Sequence, residues 1–497
     1  MIAGMEELRT HLATIRDLNN TLALLGWDQR TYMPVGGAAT RAEQLATVSR
    51  IAHELFTSAT TGHLLEAVNT ADLSPDSDEA RLIEVTARDF ERASKLPADF
   101  VARQSKVRAL ANMAWQQARA DSNYASFQPH LEAIVELVRE QAELMGYTEH
   151  AYDALLDGFE RGLTTAHVRT LFDELKAGTV PLVRRIAALG DDGRDAILRG
   201  DYPEAHQEAF GKIVASHFGY DWNRGRQDRT AHPFCINFGR DDVRITTRFN
   251  PHWLSPALFG TLHETGHALY EQGIKPELAR TPLERGASLG IHESQSRMWE
   301  NLVGRSRPFW RFFYPQLQQH FPERLGDVDP EAFYRAINTV KPSFIRVEAD
   351  EITYNLHILL RFELEVALLE GTLQVADLPA AWNAKMQEYF GITPANDAEG
   401  VLQDIHWSGG MLGYFPTYTL GNVLSVQFFE AAVAQHPTIT DEMTRGEFST
   451  LLSWLRDNIH QHGRKFLPNE LVKRVTGSPM TAAPYVQYLQ TKFGELY

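Results

Sequence analysis

Apolar residues over the first 220 positions recur at steps of three and four, and the chain departs from that habit only once. In LEAIVELVREQAELMG, Leu131, Ile134, Val135, Val138, Ala142 and Met145 line one face of a helix that Gly146 ends. The stretches 5–25, 40–56, 78–93 and 98–120 read the same way, divided by MPVGG, LSPDSD and SKLPAD. Between 233 and 249 the period falls to two. Phe234, Ile236 and Phe238 alternate, GRDD supplies a turn, and Val243, Ile245 and Thr247 alternate again, which predicts a β-hairpin. Helices resume after it, with long candidates at 343–370 and 422–436. No repeat and no Pro/Gly/Ser-rich linker divides the chain, so one mainly α body over 1–497 is expected, a helical half of about 1–220 leading into a second half of about 221–497.

The helix that follows the hairpin carries TLHETGHALYEQG, Thr261 to Gly273. Ser255 as cap, Pro256 at the first position and Gly273 past the end would bracket it. His263 and His267 then lie on one face, about 6 Å apart along the axis, where both imidazoles can reach one ion. Glu264 projects beside them, placed to take a proton from a water without being a ligand. Gly266 in mid-helix costs about 1 kcal/mol against alanine, which calls for the close approach of another element. A chance match on a solvated helix is the competing reading, and the bracketing and the hairpin weigh against it.

A catalytic zinc has three protein ligands and an open position. The third ligand must come from elsewhere, usually a downstream glutamate or a third histidine; Glu271, Glu277, Glu284, Glu293 and Glu300 are downstream glutamates, and no further histidine follows at short spacing. Glu293 stands in a second amphipathic helix that Ser288 could cap, 26 residues after His267. Spacing alone leaves Glu284 and Glu300 open.

The net charge of -16 argues against a nucleic-acid surface and against anionic membranes. The single cysteine, Cys235, cannot form an internal disulfide, no apolar run is long enough to span a membrane, and acidic residues interrupt the start where a signal peptide needs an apolar core. A cytoplasmic location is expected.

HETGH, HESQ, DVRIT (Asp242 to Thr246), IRVEAD (Ile345 to Asp350) and GVLQDIHW (Gly400 to Trp407) occur in one order and together resemble the carboxypeptidase Taq family of metallocarboxypeptidases. LLGWDQRTYMP and the C-terminal YLQTKFGELY extend the resemblance along the whole chain. One departure is Arg161 in FERGLT, where the family pattern has proline, and it is expected to lie far from the chemistry. The resemblance implies metal ligands His263, His267 and Glu293 with Glu264 as general base. It also implies a helical neurolysin-like fold with a deep groove, a homodimer, and removal of single residues from peptides with a free C-terminus. One divalent ion per subunit follows, zinc first, with cobalt or manganese fitting similar ligands.

The same resemblance favours Tyr418 as the donor that stabilises the oxyanion, with Tyr414 an alternative, and His406 as a substrate contact; core aromatics in a glycine-rich turn is the plainer reading. Arg346 is its candidate for gripping the terminal carboxylate, although an arginine near a helix start beside acids is more often a surface ion pair. Arg244 is the second candidate, unless its strand pairs with the substrate backbone by edge addition. Asp350 and Asp404 are candidates to orient the ligating imidazoles, or else to satisfy helix-end and loop amides. In IHQHGRK two histidines at i, i+2 diverge, so that segment reads as structural. Two other functions compete: an endo-acting zinc oligopeptidase of the same mechanism, and a non-enzymatic peptide-binding protein with a structural metal, which would need a fourth ligand.

Overall fold

The stripes give helices where they predict them: Met5–Thr31, Ala38–Phe56, Asp78–Ser94, Ala98–Ala120 and Tyr124–Met145. The computed structural model describes residues 4–68 and 73–497. The chain gathers into two compact units, one of Met1–Ser94, Asp195–Ile337 and Phe428–Ser478, the other of Lys95–Arg194, Asn338–Gln427 and Pro479–Tyr497.

Both long helices foreseen after the hairpin begin elsewhere than expected. The helix foreseen at 343–370 begins only at Thr353, because the Asp350 carboxylate accepts the Ile352 and Thr353 amides and starts the helix there. Before it, Arg346–Glu348 form a single 3-10 turn. The later helix runs Pro416–Gln435, starting earlier than foreseen at a proline that needs no amide partner.

In the first unit the hairpin is real and has a third strand. β1 (Gln227–Arg229) pairs parallel to β3 (Val243–Thr247), and β2 (Cys235–Asn237) pairs antiparallel to it, with Cys235 and Gln227 both opposite Ile245. β3 is therefore central and hydrogen-bonded on both sides, so it cannot take up an extended substrate by edge addition. The turn closes through Phe238 N–H to Asp242 O, with Gly239 at a φ of 123°. Thr247 Oγ1 lies 3.1 Å from Thr261 Oγ1, fastening the central strand to the motif helix, Leu254–Gly273.

That helix starts at Leu254, with Trp253 rather than Ser255 in the cap position. Gly273 is its last residue and not a left-handed stop. A Cβ there would stand 2.7 Å from His460, so the glycine serves close packing. An aromatic core lies behind, with Phe218 and Trp299 4.4 Å apart and Phe448 against both.

The second unit packs Tyr152 and Phe172 edge-on against Phe362 of the helix Thr353–Glu370. Trp115 Nε1 donates to Leu402 O and Tyr124 OH to Val375 O, tying loops to the long helices. Among the described residues no helix is long and apolar enough to cross a membrane.

Candidate metal centre

Gly266 explains how the motif helix meets its neighbour. A Cβ at that position would lie 2.6 Å from Ser296 Cα and 2.7 Å from Gln295 O, so only glycine lets the return helix, Leu289–Arg297, cross there. Ser288 caps the return helix by accepting the Ile291 amide. The crossing brings Glu293 Oε2 to 3.4 Å from His267 Nε2 and 3.7 Å from His263 Nε2.

Three ligands held tetrahedrally at about 2.0–2.1 Å from one ion stand roughly 3.3–3.4 Å from each other, so the set fits a small divalent metal. Among the described residues these three form the group able to share one ion, and no fourth joins them. That pattern suits an open, catalytic site and not a closed structural one.

Each ligand is oriented from behind. His263 Nδ1 lies 2.9 Å from Glu300 Oε2, which leaves Nε2 as the bare nitrogen. His267 Nδ1 meets His292 Nδ1 at 2.6 Å, and His292 Nε2 meets Glu271 Oε1 at 2.7 Å. Arg297 donates through Nε to Glu293 Oε1 at 2.7 Å and through Nη1 to Glu300 Oε2 at 3.2 Å, holding Glu293 so that Oε2 faces the imidazoles. Glu300 lies on a π-helical segment, Met298–Val303, a bulge of the kind common at functional sites.

Burial opposes charge on the Glu293 carboxyl, yet Arg297 and the two imidazoles hold it well below the usual range. Burial brings the His267 imidazole down to about 3, which keeps it neutral as a ligand must be. His263 goes the other way, raised by Glu293 and Glu300 against the cost of burial. Glu264 is buried and its side chain makes no hydrogen bond among the described residues, and burial pushes its carboxyl up to about 7.

The spacing candidates are thereby separated. Glu293 joins the imidazoles, Glu300 and Glu271 stand behind them, and Glu284 accepts the Arg240 and Arg280 amides instead. Asp350 and Asp404 do not orient the imidazoles. Asp350 is taken by the amides of Lys341, Ile352 and Thr353, and Asp404 by two arginines. His292, Glu271 and Arg297 in the supporting roles were not legible from spacing, although HESQ placed His292 beside a candidate ligand.

Arg244, on β3, lies between the rings of Trp27 and Phe238, 4.3 and 4.8 Å from their centroids, with Asp242 on its Nη2 at 2.8 Å.

Arg346, His406, Tyr414 and Tyr418 come together in the second unit. Arg346 is buried, not a surface ion pair. Its Nη2 reaches Asp404 Oδ1 at 2.7 Å and its Nη1 reaches Tyr354 OH at 3.0 Å. Arg361, fully buried and unforeseen, lies on the other oxygen of Asp404 at 2.6 Å. His406 Nε2 is 3.4 Å from Tyr418 OH, and the Tyr414 ring stands 5.4 Å from both the His406 and the Tyr418 rings. Phe159, from the segment with the Arg161 departure, packs edge-on against Tyr414 at 5.2 Å. That segment is therefore not remote from the candidate residues.

The family model described as Carboxypeptidase Taq (M32) metallopeptidase matches residues 7–493. The chain is 44% identical over 486 residues to thermostable carboxypeptidase 1 of Thermus thermophilus, covering 96% of this chain and 95% of that one. It is 39% identical to carboxypeptidase 1 of Bacillus subtilis, covering 98% and 97%. Among solved structures, the M32 carboxypeptidase of Deinococcus radiodurans R1 superposes with a TM-score of 0.97 at 43% identity over 99% of each chain.

Proposed function

The chain belongs to the carboxypeptidase Taq (M32) family and is a metallocarboxypeptidase, a hydrolase of peptide bonds that uses a divalent metal, and from that premise we propose how its residues divide the work. His263, His267 and Glu293 hold one ion, zinc by choice of donors, and the spacing of their Nε2 and Oε2 atoms is the observation that carries this reading. When bound, the ion supplies an acidified water and polarises the scissile carbonyl.

Glu264 is the general base. Its carboxyl, lifted to about 7, accepts a proton near neutral pH and holds it until the leaving amine takes it. Tyr418 donates to the charge that develops on the carbonyl oxygen, an interaction worth about 3 kcal/mol, with Tyr414 as the alternative and His406 as a substrate contact. Arg346 recognises the terminal carboxylate. Two buried arginines against the single Asp404 leave one positive charge that a carboxylate would balance. Arg244, fixed between two rings, is the second candidate for that contact.

The enzyme acts as a cytoplasmic homodimer on peptides with a free C-terminus. In support of a partner, the helix Ala38–Phe56 buries only Ala52 among its 19 residues, and Val35 and Tyr32 before it are 94% and 59% exposed.

A peptide and its C-terminally amidated twin test the reading. Stepwise loss of single residues from the free peptide, abolished by amidation, is the expected result. Internal fragments from both peptides would show an endopeptidase instead.

A further inference from the structure

We propose that the recess between the helices Met5–Thr31 and Ala38–Phe56 binds a small organic anion with an apolar body. The recess has a volume of about 350 Å3. Its apolar lining is Leu12 and Ile15 from the first helix and Ala52 and Phe56 from the second, residues three or four apart on facing sides. Three arginines, Arg16, Arg285 and Arg464, enter the same space.

Two of these cations are already balanced. Arg464 grips Asp89 through both Nη atoms. Arg16 donates through Nη2 to Glu284 O at 2.6 Å and pairs with the Glu284 carboxylate at 3.6 Å, while its buried Nε has no hydrogen-bond acceptor. Arg285 has no carboxylate partner among the described residues. Glu271 and Asp89 lie within its field, but they are committed to His292 and Arg464.

Arg285 lines the recess and is exposed there, so its guanidinium is open to a ligand from solution. An arginine without a carboxylate partner, beside the apolar side chains of a recess that Asn19, Ser49, His53 and Asp89 also line, selects a phosphate monoester or carboxylate attached to an apolar group.

Calorimetric titration of the holoenzyme with phenyl phosphate, phenylacetate and phenol tests this. At least one of the two anions is expected to bind one per chain, about tenfold or more tighter than phenol, and the tighter one identifies the head group. Arg285→Gln should weaken it about tenfold or more, as should Ser49→Trp, which fills the mouth from an exposed position on the second helix. Unchanged affinity in both variants would place the anion elsewhere, the metal centre included, and overturn the proposal. So would the absence of binding by either anion. A shift of Arg285→Gln from dimer to monomer in sedimentation would show that an acidic side chain of a second copy fills the recess, and would overturn it as well.

Discussion

The Nδ1 atoms of His267 and His292 stand 2.6 Å apart, a distance that requires one proton between them. His267 turns Nε2 to Glu293, so the proton belongs to its Nδ1, and His292 accepts it. His292 must then carry its own proton on Nε2, which it donates to Glu271. A carboxylate thus fixes the tautomer of a metal ligand through an intervening imidazole. His292→Ala is expected to weaken metal affinity about 10- to 100-fold, measured by competition with a chelator, and Glu271→Gln by less. Wild-type affinity in His292→Ala would rule the relay out.

Glu264 touches neither imidazole by hydrogen bond, so its replacement should leave the donor set intact. Glu264→Gln is expected to retain one metal ion per chain and to lose about 10²- to 10⁴-fold in kcat. Metal analysis and steady-state kinetics on one preparation check both halves, and turnover near wild type would remove Glu264 from the mechanism.

The histidine pair was legible because four residues return a helix to the same face, whatever surrounds it. Glu293 was only one of several carboxylates, because the path between two helices is set by a loop that periodicity does not describe. His292 and Glu293 are neighbours in sequence, and which of two adjacent side chains meets a given atom depends on the rotation of the return helix. Arg361 sits in ILLRFELEV, where charges among apolar residues read as the solvent face, yet it is fully buried because Asp404 pairs with it. β1 is three residues, QDR, with no alternating apolar positions, and it exists through pairing to Val243–Thr247.

Gly266 sets two effects against each other. Alanine would gain about 1 kcal/mol of helix propensity. Its Cβ would strike backbone of the return helix at 2.6–2.7 Å, and overpacking costs about 1–3 kcal/mol, towards the upper end where backbone cannot swing aside. Gly266→Ala is expected to be destabilised in urea titration and to bind metal more weakly, since the crossing it widens carries Glu293. A more stable variant would mean that the helices do not approach this closely.

Asp404 holds two cations in a buried setting. Burial opposes its charge, but Arg361 and Arg346 hold the carboxyl far below the usual range. Its stabilisation is complete above the ordinary carboxylate pKa and persists into strong acid before it is lost. Asp404→Asn keeps the shape and leaves both guanidiniums without a counter-charge, for a loss of about 3–5 kcal/mol in urea unfolding. Adding Arg361→Met should recover part of that loss. A single variant within about 0.5 kcal/mol of wild type would show that the cluster is hydrated and not buried.

Glu365 makes the opposite prediction with pH. It is fully buried and receives Tyr152 OH and Gly413 N–H on one oxygen and Trp407 Nε1 on the other. Those donors favour the anion, but burial outweighs them and pushes the carboxyl up to about 7. The folded chain therefore binds a proton that the unfolded chain releases near pH 4.5, and stability must fall as pH rises across that window. The contribution, about 3–4 kcal/mol at about 1.4 kcal/mol per pH unit, is full below pH 4.5 and lost as pH passes through about 7. Glu365→Gln cannot lose a proton, so its own slope should be flatter. Its starting stability should be lower, because the amide must turn an N–H towards either Trp407 Nε1 or the Gly413 amide, both donors. Urea unfolding of both proteins at pH 5 and pH 8 measures the difference, and parallel slopes would mean that Glu365 is already ionised in the fold.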